Sequence, residues 1–343
     1  MTVSTRLADH TTFRIGGPAT TLRTADTTDE LVAAVRDAWQ DDDWLVVGGG
    51  SNLLVADAGF DGTVVLVRTR GVDASTDADG VTVRVAAGEP WDAFVATTVA
   101  NGWTGLEALS GIPGTVGAAP VQNIGAYGVE LSDVLTAVDL LDASTGERTW
   151  VPAAELALGY RTSTLKHGRR GVVLAVEFRL GTAPQEGVPV RYAQLAGSLG
   201  VDLGTPVAPE TIRETVLRLR GAKGMVLDDA DPDTWSAGSF FTNPIVSAAF
   251  AETLPAEAPR WPAGDQVKLS AAWLIEHAGV HRGYAVPGSR AAVSTKHTLA
   301  LTNRGGATAA QVAELARYVQ VTVLNRFGVT LVPEPVVVGE LTD

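Results

Sequence analysis

The chain has no cysteine. That one absence excludes disulfide bonds, thiolate catalysis and cysteine-ligated iron–sulfur clusters. Any redox chemistry must come from a bound organic cofactor or from a metal held by nitrogen and oxygen. Histidine is scarce, with five in 343 residues. Only His277 and His281 stand close together at i, i+4, and Gly279 lies between them at an expected helix end. They share no face for a metal and read as structural or surface side chains. Positive charge is also in short supply, with 26 Lys and Arg against 39 Asp and Glu and a net charge of −13. General nucleic-acid binding needs a basic face and is not expected. A small anion needs only a local basic pocket. No run of about 18 apolar residues occurs, so no membrane span is expected. The N-terminal MTVSTRLADHTTF lacks the apolar core of a signal peptide. The expectation is a cytoplasmic protein.

Glycine, by contrast, is abundant. The stretch Ser110–Gly128, SGIPGTVGAAPVQNIGAYG, holds five glycines, two prolines and no charged side chain. It is too apolar for an ordinary surface loop and too rich in glycine for a regular helix or strand. Such composition brings backbone close against something large and flat. A second run, Gly48-Gly49-Gly50-Ser51-Asn52, follows the apolar Trp44–Val47. Two backbone cradles about 60 residues apart suit a large phosphate-bearing cofactor better than a lone phosphate. The spacing is neither G-x-G-x-x-G nor G-x-x-x-x-G-K-[ST], and extended chain, not a helix, is expected at Leu53–Val55. For the triple glycine alone, a tight turn is the competing reading.

At 45% hydrophobic and 19% charged residues the chain reads as globular. Its length admits two or three domains. Thr27-Thr28-Asp29-Glu30 fits a capping box that opens a helix to Trp39. Strands are expected at Trp44–Val47, Thr63–Val67, Val81–Ala87, Ala137–Asp142, Gly171–Leu180 and Thr330–Val338. Further helices are expected at Pro90–Asn101, at Pro209–Arg220 ended by Gly221, at Leu269–Ala278 closed by Gly279, and at Thr308–Phe327. The last places Val312, Leu315, Ala316, Val319 and Val323 on one face, with Gly328 as its cap. The pattern is mixed α+β rather than regular βαβ.

Three segments carry candidate chemistry. Tyr160–Arg170 concentrates basic residues and reads either as an anion-binding loop or as a solvated turn. Ser236–Pro244 sets small residues before Phe240-Phe241 and Asn243-Pro244. Ser239 is not in a G-x-S-x-G elbow and has no nearby histidine to make it a nucleophile, so it is either a turn serine or a tuned proton donor. Glu334 lies between Pro333 and Pro335, whose fixed backbone would aim it; the plain alternative is an edge-strand glutamate.

Taken in order, these segments resemble the UDP-N-acetylenolpyruvoylglucosamine reductases. The resemblance spans nearly the whole chain: Thr12–Ala19, Gly48–Asn52, Gly111–Gly128, Gly159-Tyr160-Arg161, Gly238–Pro244, Lys268–Gly279 and Pro333-Glu334. It implies a three-domain flavoenzyme of α+β class with an FAD-binding fold of the vanillyl-alcohol oxidase type. Residues 1–70 with 330–343 and residues 71–222 would form two FAD-binding subdomains, and 223–329 the substrate domain. It further implies that Gly48, Gly49, Gly50, Ser51, Asn52, Gly111, Ile112, Pro113, Gly114, Thr115, Gly117 and Ala118 hold FAD without a covalent bond. NADPH would be the co-substrate and UDP-N-acetylglucosamine enolpyruvate the substrate. Ser239 matches the family's proton donor, and Arg161 and Glu334 its two other catalytic residues. Arg161 would be an always-charged bidentate partner for a carboxylate, and Glu334 is expected to have a raised pKa. Tyr160, Tyr192, Lys223 and Asn243 match substrate-binding positions, Tyr192 on the covering loop of the longer subclass. The chain departs from the family at Gly224-Met225-Val226, at Val336-Val337-Val338, and at His297, where glutamine is frequent. A monomer is expected. Two readings compete with this reductase: a flavin oxidase on the same fold, and a binding module without catalysis.

Overall fold

The capping chemistry written into the chain sets its helices. In a computed structural model describing residues 5–41, 43–183 and 186–341, Thr27 accepts from the Glu30 amide while the Glu30 carboxylate accepts from the Thr27 amide. This box opens helix Thr28–Ala38, with Trp39 as its C-cap. Thr308 and Gln311 form a second box at the start of helix Ala309–Phe327, which ends at left-handed Gly328. Residues 1–4 of the N-terminal segment and 342–343 of the C-terminal one lie outside the described residues.

Two compact units share the chain. One comprises Thr20–Gly49 and Asp61–Ala222. In it a three-stranded sheet has Phe60–Val67 at its centre, flanked by Ala19–Ala25 and Trp44–Val47. The last pair runs parallel, Trp44 opposite Thr63 through Val47 opposite Leu66. Helix Thr28–Ala38 buries Leu31, Val35 and Ala38 in a core shared with Ala25, Val65 and Val67. A larger antiparallel sheet orders its strands Arg148–Pro152, Leu135–Asp142, Gly171–Thr182, Gly80–Ala86, Val72–Asp77. Alternation along these strands sends Val81, Val83, Val85, Val138, Leu140, Val176, Phe178 and Leu180 into one core. Helix Trp91–Ala100 adds Trp91 and Phe94, whose rings stand 6.3 and 5.3 Å from Phe178. Helices Ala193–Leu199 and Pro209–Ala222 enclose a smaller core of Val190, Leu195, Ala196, Ile212 and Val216.

The other unit comprises Met1–Ala19, Gly50–Phe60 and Lys223–Asp343. Helix Ala309–Phe327 buries the expected face, Val312, Leu315, Ala316, Val319 and Val323, against Phe13, Ile15, Phe240, Phe241 and Leu274. Strand Gln266–Leu269 is central to a small sheet between Ile245–Ser247 and Arg260–Ala263. Ala291–Val293 and Leu301–Asn303 pair as a hairpin, and Val336–Val338 runs parallel to Leu53–Val55. No helix among the described residues is long and apolar enough to cross a membrane.

Several boundaries differ from expectation. Helix Pro209–Ala222 runs through Gly221, which keeps helical dihedrals; the left-handed glycine that follows is Gly224, with φ 67°. A glycine stops a helix when it turns left-handed, not by its presence. Leu269 ends a strand, and Ser270 caps a helix Ala271–His277 by accepting from Trp273. Of the expected strand Thr330–Val338 only Val336–Val338 is a strand, because Pro333 and Pro335 have no amide to give a ladder. Within the glycine-rich stretch, Val116–Gln122 forms a 3₁₀ helix despite its composition and ends at left-handed Asn123.

Candidate functional site

The two glycine-rich segments meet within the first unit described. A Cβ placed on Gly49 would lie 2.6 Å from Gly114 Cα, and one on Gly48 would overlap the Thr115 hydroxyl. One on Gly117 would collide with Ala87. Only glycine permits these approaches. The segment is anchored along its length: Trp91 N–H donates to Gly114 O at 3.0 Å, Val116 N–H to Glu89 O at 2.9 Å, and Gly117 N–H to Ala87 O at 2.9 Å. Arg68 Nη1 holds Gly48 O at 2.9 Å. At Gly111, left-handed at φ 72°, the amide donates to Asp92 Oδ1 at 2.6 Å, and Arg213 grips the same carboxylate at 2.6 and 2.9 Å. Burial alone would raise the Asp92 pKa, but the Arg213 and Gly111 hydrogen bonds outweigh it and hold the group below the ordinary value. The result is a side-chain-poor backbone cradle from two distant segments. It fits a flat, phosphate-bearing cofactor.

Arg161 belongs to this unit. It sits in a tight turn where Gly159 and Thr162 exchange backbone hydrogen bonds at 3.1 and 3.3 Å. Its own φ is 57°, a conformation costing a non-glycine residue about 1–2 kcal/mol. The surroundings hold it there: Arg161 Nη2 donates to Gly125 O at 2.8 Å, and Lys166 Nζ donates to Arg161 O at 3.1 Å. Buried Asn123 ties the parts together. Its Nδ2 donates to Gly159 O at 3.1 Å and its Oδ1 accepts from Ser132 N–H at 2.9 Å. The other cations of the basic run serve the fold. Arg169 pairs with Asp142, and Arg170 lies over the Trp44 ring at 5.4 Å. Tyr160 faces the Arg161 guanidinium at 5.5 Å. Tyr192 precedes helix Ala193–Leu199 and meets Tyr127 edge to face at 5.7 Å.

Ser239 and Glu334 belong to the other unit and lie on adjacent extended segments. Phe240 N–H donates to Leu299 O at 2.7 Å, Glu334 N–H to Phe240 O at 2.8 Å, and Thr242 N–H to Val332 O at 3.0 Å. Phe240 and Phe241 are buried and pack on each other at 5.1 Å, which fixes the backbone that carries Ser239. Gly238, at φ 73°, turns the chain into this extended segment, its amide held by Ser236 Oγ at 3.1 Å. Asn52 Nδ2 donates to Glu334 O at 3.2 Å, and Val336 N–H to Asn52 O at 2.9 Å. Gly50 O accepts from Thr12 N–H at 3.2 Å in the same unit. Asn243 Oδ1 accepts from Ala271 N–H at 3.0 Å. Lys223 opens this part of the chain, directly after helix Pro209–Ala222. His277 stacks on Trp273 at 3.8 Å, and no group of three metal-ligating side chains exists among the described residues.

Sequence reasoning missed Asn123 and the Asn52–Glu334 bond. An isolated Asn before Ile-Gly signals a left-handed residue only weakly. Nothing local announces a bond across 282 positions.

Residues 19–151 match the FAD-binding domain family, and residues 231–338 match the C-terminal domain of UDP-N-acetylenolpyruvoylglucosamine reductase. With the glycine cradle, this defines an FAD-binding oxidoreductase of α+β class. The chain is 52% identical to the UDP-N-acetylenolpyruvoylglucosamine reductase of Leifsonia xyli subsp. xyli over 99% of both chains. It is 55% identical to that of Nocardia farcinica, covering 97% of this chain and 88% of the relative. The crystal structure of the Thermus caldophilus enzyme superposes with a TM-score of 0.68 at 29% identity, covering 97% of each chain. The chain belongs to the UDP-N-acetylenolpyruvoylglucosamine reductase family, whose members act in peptidoglycan precursor synthesis.

Proposed function

We propose that the chain reduces UDP-N-acetylglucosamine enolpyruvate to UDP-N-acetylmuramate at the expense of NADPH. The observation that carries the reading is the adjacency of Ser239 and Glu334, joined through Glu334 N–H and Phe240 O at 2.8 Å. Gly48–Asn52, Gly111–Thr115, Gly117 and Ala118 would hold FAD without a covalent bond. Bound FAD supplies a two-electron relay from NADPH to a hydride acceptor. The vinyl group gains hydride at C3, and Ser239 Oγ delivers the proton to C2, turning CH2=C into CH3–CH. Negative charge grows toward the carboxylate as C3 is attacked. Arg161 meets it with a fixed guanidinium, and Glu334 adds a hydrogen bond when protonated. Tyr192 covers the substrate and excludes water. Tyr160, Lys223 and Asn243 bind the rest of the sugar nucleotide. In this reading residues 1–70 with 330–343 and 71–222 serve the flavin, 223–329 the sugar nucleotide, and the protein is a cytoplasmic monomer.

The test is anaerobic. Flavin bleached with NADPH should regain its colour stoichiometrically when UDP-N-acetylglucosamine enolpyruvate is added. Ser239→Ala should slow this second half by orders of magnitude and leave reduction by NADPH nearly intact. Equal slowing of both halves would make the serine structural. Reduced flavin that ignores the enolpyruvyl compound but reacts with oxygen would refute the reductase.

A further inference from the structure

The four residues that leave strand Phe60–Val67, Arg68-Thr69-Arg70-Gly71, brace both halves of the glycine cradle. Toward the first half, Arg68 Nη1 donates to Gly48 O and to Val67 O, each at 2.9 Å. Toward the second, buried Thr69 accepts from Gly88 N–H at 3.0 Å, Arg70 Nη1 donates to Gly88 O, and Gly71 N–H donates to Glu89 Oε1 at 2.8 Å. A Cβ on Gly88 would lie 2.4 Å from Thr69 N, so the two backbones are in contact. Ala87 and Glu89, on either side of Gly88, are the residues whose carbonyls take the amides of Gly117 and Val116. Hydride acceptance and proton delivery as described above use none of these four residues.

The Arg68 bond has a directional consequence. In a planar trans peptide the carbonyl and the following N–H point in opposite directions. Holding Gly48 O toward the guanidinium therefore aims Gly49 N–H away from it. The amides of Val116 and Gly117 are spent on the fold, whereas that of Gly49 donates to no protein group among the described residues. Glycine has no Cβ to restrict its dihedrals, so the direction of this amide has to be set from outside. Arg68 does that on one side, and contact with Gly114 backbone limits movement on the other. Burial, then Arg70, lower the Arg68 pKa, and Asp26 opposes them. A cation kept behind the loop against those costs favours an anion at the loop it holds.

We propose that Arg68 is a positioning residue for the cofactor: by holding Gly48 O it presents Gly49 N–H to the diphosphate of FAD. The proposal rests on the functional reading above, which gives this cradle to FAD, and deepens it. A backbone N–H bonded to a charged phosphate oxygen is about twice as strong a contact as a neutral pair, so its aim matters. Arg68 acts through the peptide and not by touching the phosphate.

The probes are FAD and riboflavin, which share the flavin ring and ribityl chain but differ in that riboflavin has no phosphate. Fluorescence titration of the full chain freed of flavin gives both affinities. Arg68→Met keeps an apolar stem and removes the donor. It should weaken FAD by at least about tenfold and riboflavin by less than about threefold. Arg68→Lys keeps a charged donor on a long stem and should return FAD to within about threefold of wild type. An Arg68→Met protein in which FAD affinity is unchanged, or in which both ligands weaken in parallel, would overturn the proposal, the second because a general loss of structure does not single out phosphate. NMR of the 15N-labelled wild type needs no variant to fold. FAD should move the Gly49 amide proton downfield and riboflavin should not; a Gly49 signal that ignores FAD would also overturn the proposal. Wild type that binds neither ligand would remove the flavin reading and the proposal with it. If FAD binding depends on Arg68 as expected but the enolpyruvyl compound is not reduced, the reaction is misassigned and the role of Arg68 stands.

Discussion

Gly49→Ala tests the cradle most directly. The added methyl carbon would sit 2.6 Å from Gly114 Cα and 3.1 Å from Gly114 C. Those are backbone atoms anchored by the bond from Trp91 N–H to Gly114 O, so they cannot rotate away as a side-chain tip would. Ordinary contact between two carbons is about 3.5–4.0 Å, so the segments must part by roughly 1 Å. Overpacking of this kind costs about 1–3 kcal/mol. At about 2–4 °C per kcal/mol for a unit of this size, Tm should fall by about 2–12 °C. Because the segments that part are those assigned to the flavin, FAD affinity should fall at least about tenfold, or about 1.4 kcal/mol. Gly221→Ala is the control. Gly221 lies inside helix Pro209–Ala222 with open space around its Cβ, so alanine should stabilise by about 0.4–1 kcal/mol and leave FAD affinity unchanged. Fluorescence titration of FAD into apoprotein and thermal unfolding measure both variants. A Gly49→Ala protein with wild-type Tm and wild-type FAD affinity would refute the close approach of the two segments.

Phe241 is fully buried in the aromatic cluster behind Ser239, so Phe241→Ala should cost about 3–5 kcal/mol in denaturant unfolding; a loss below about 1 kcal/mol would show that the cluster does not support that extended segment. Asp92 has its carboxyl pKa lowered in the fold, so its contribution is present above the unfolded-state value of about 3.8 and is lost as pH falls through the lower folded value. Asp92→Asn should therefore destabilise at neutral pH and flatten the acid side of the stability curve below about pH 4; a parallel downward shift at every pH would mean that the charge is not what matters.

Much of the fold was legible locally. The Thr27–Glu30 box, the apolar face of helix Ala309–Phe327 and the left-handed cap at Gly328 are decided by residues within a few positions of one another. Reading failed where competition was not local. Gly221 resembles a stop, but Gly224 takes the left-handed turn. The basic run Tyr160–Arg170 read as either an anion loop or a solvated turn, and nothing in it showed that Arg169 and Arg170 are held by Asp142 and Trp44, far away in sequence. The candidate site residues were found by motif. Their supports, Asn123 beneath the Arg161 turn and Asn52 on Glu334, were not.

The sequence by itself determined that redox chemistry here cannot rest on thiols or cysteine-ligated clusters, since cysteine is absent, and that two glycine-rich backbones were available to hold a cofactor. It also determined helices Thr28–Ala38 and Ala309–Phe327, because caps and periodicity act over one or two turns. Tertiary structure alone decided which backbones meet: Gly48 and Gly49 against Gly114 and Thr115, and Phe240 between Leu299 and Glu334. It alone lowered the His297 pKa to about 4, by burial first and then by the charges of Lys223 and Arg282. A strand's hydrogen-bonding partner and an imidazole's electrostatic surroundings are supplied by chain that is remote in sequence, and only packing brings that chain close.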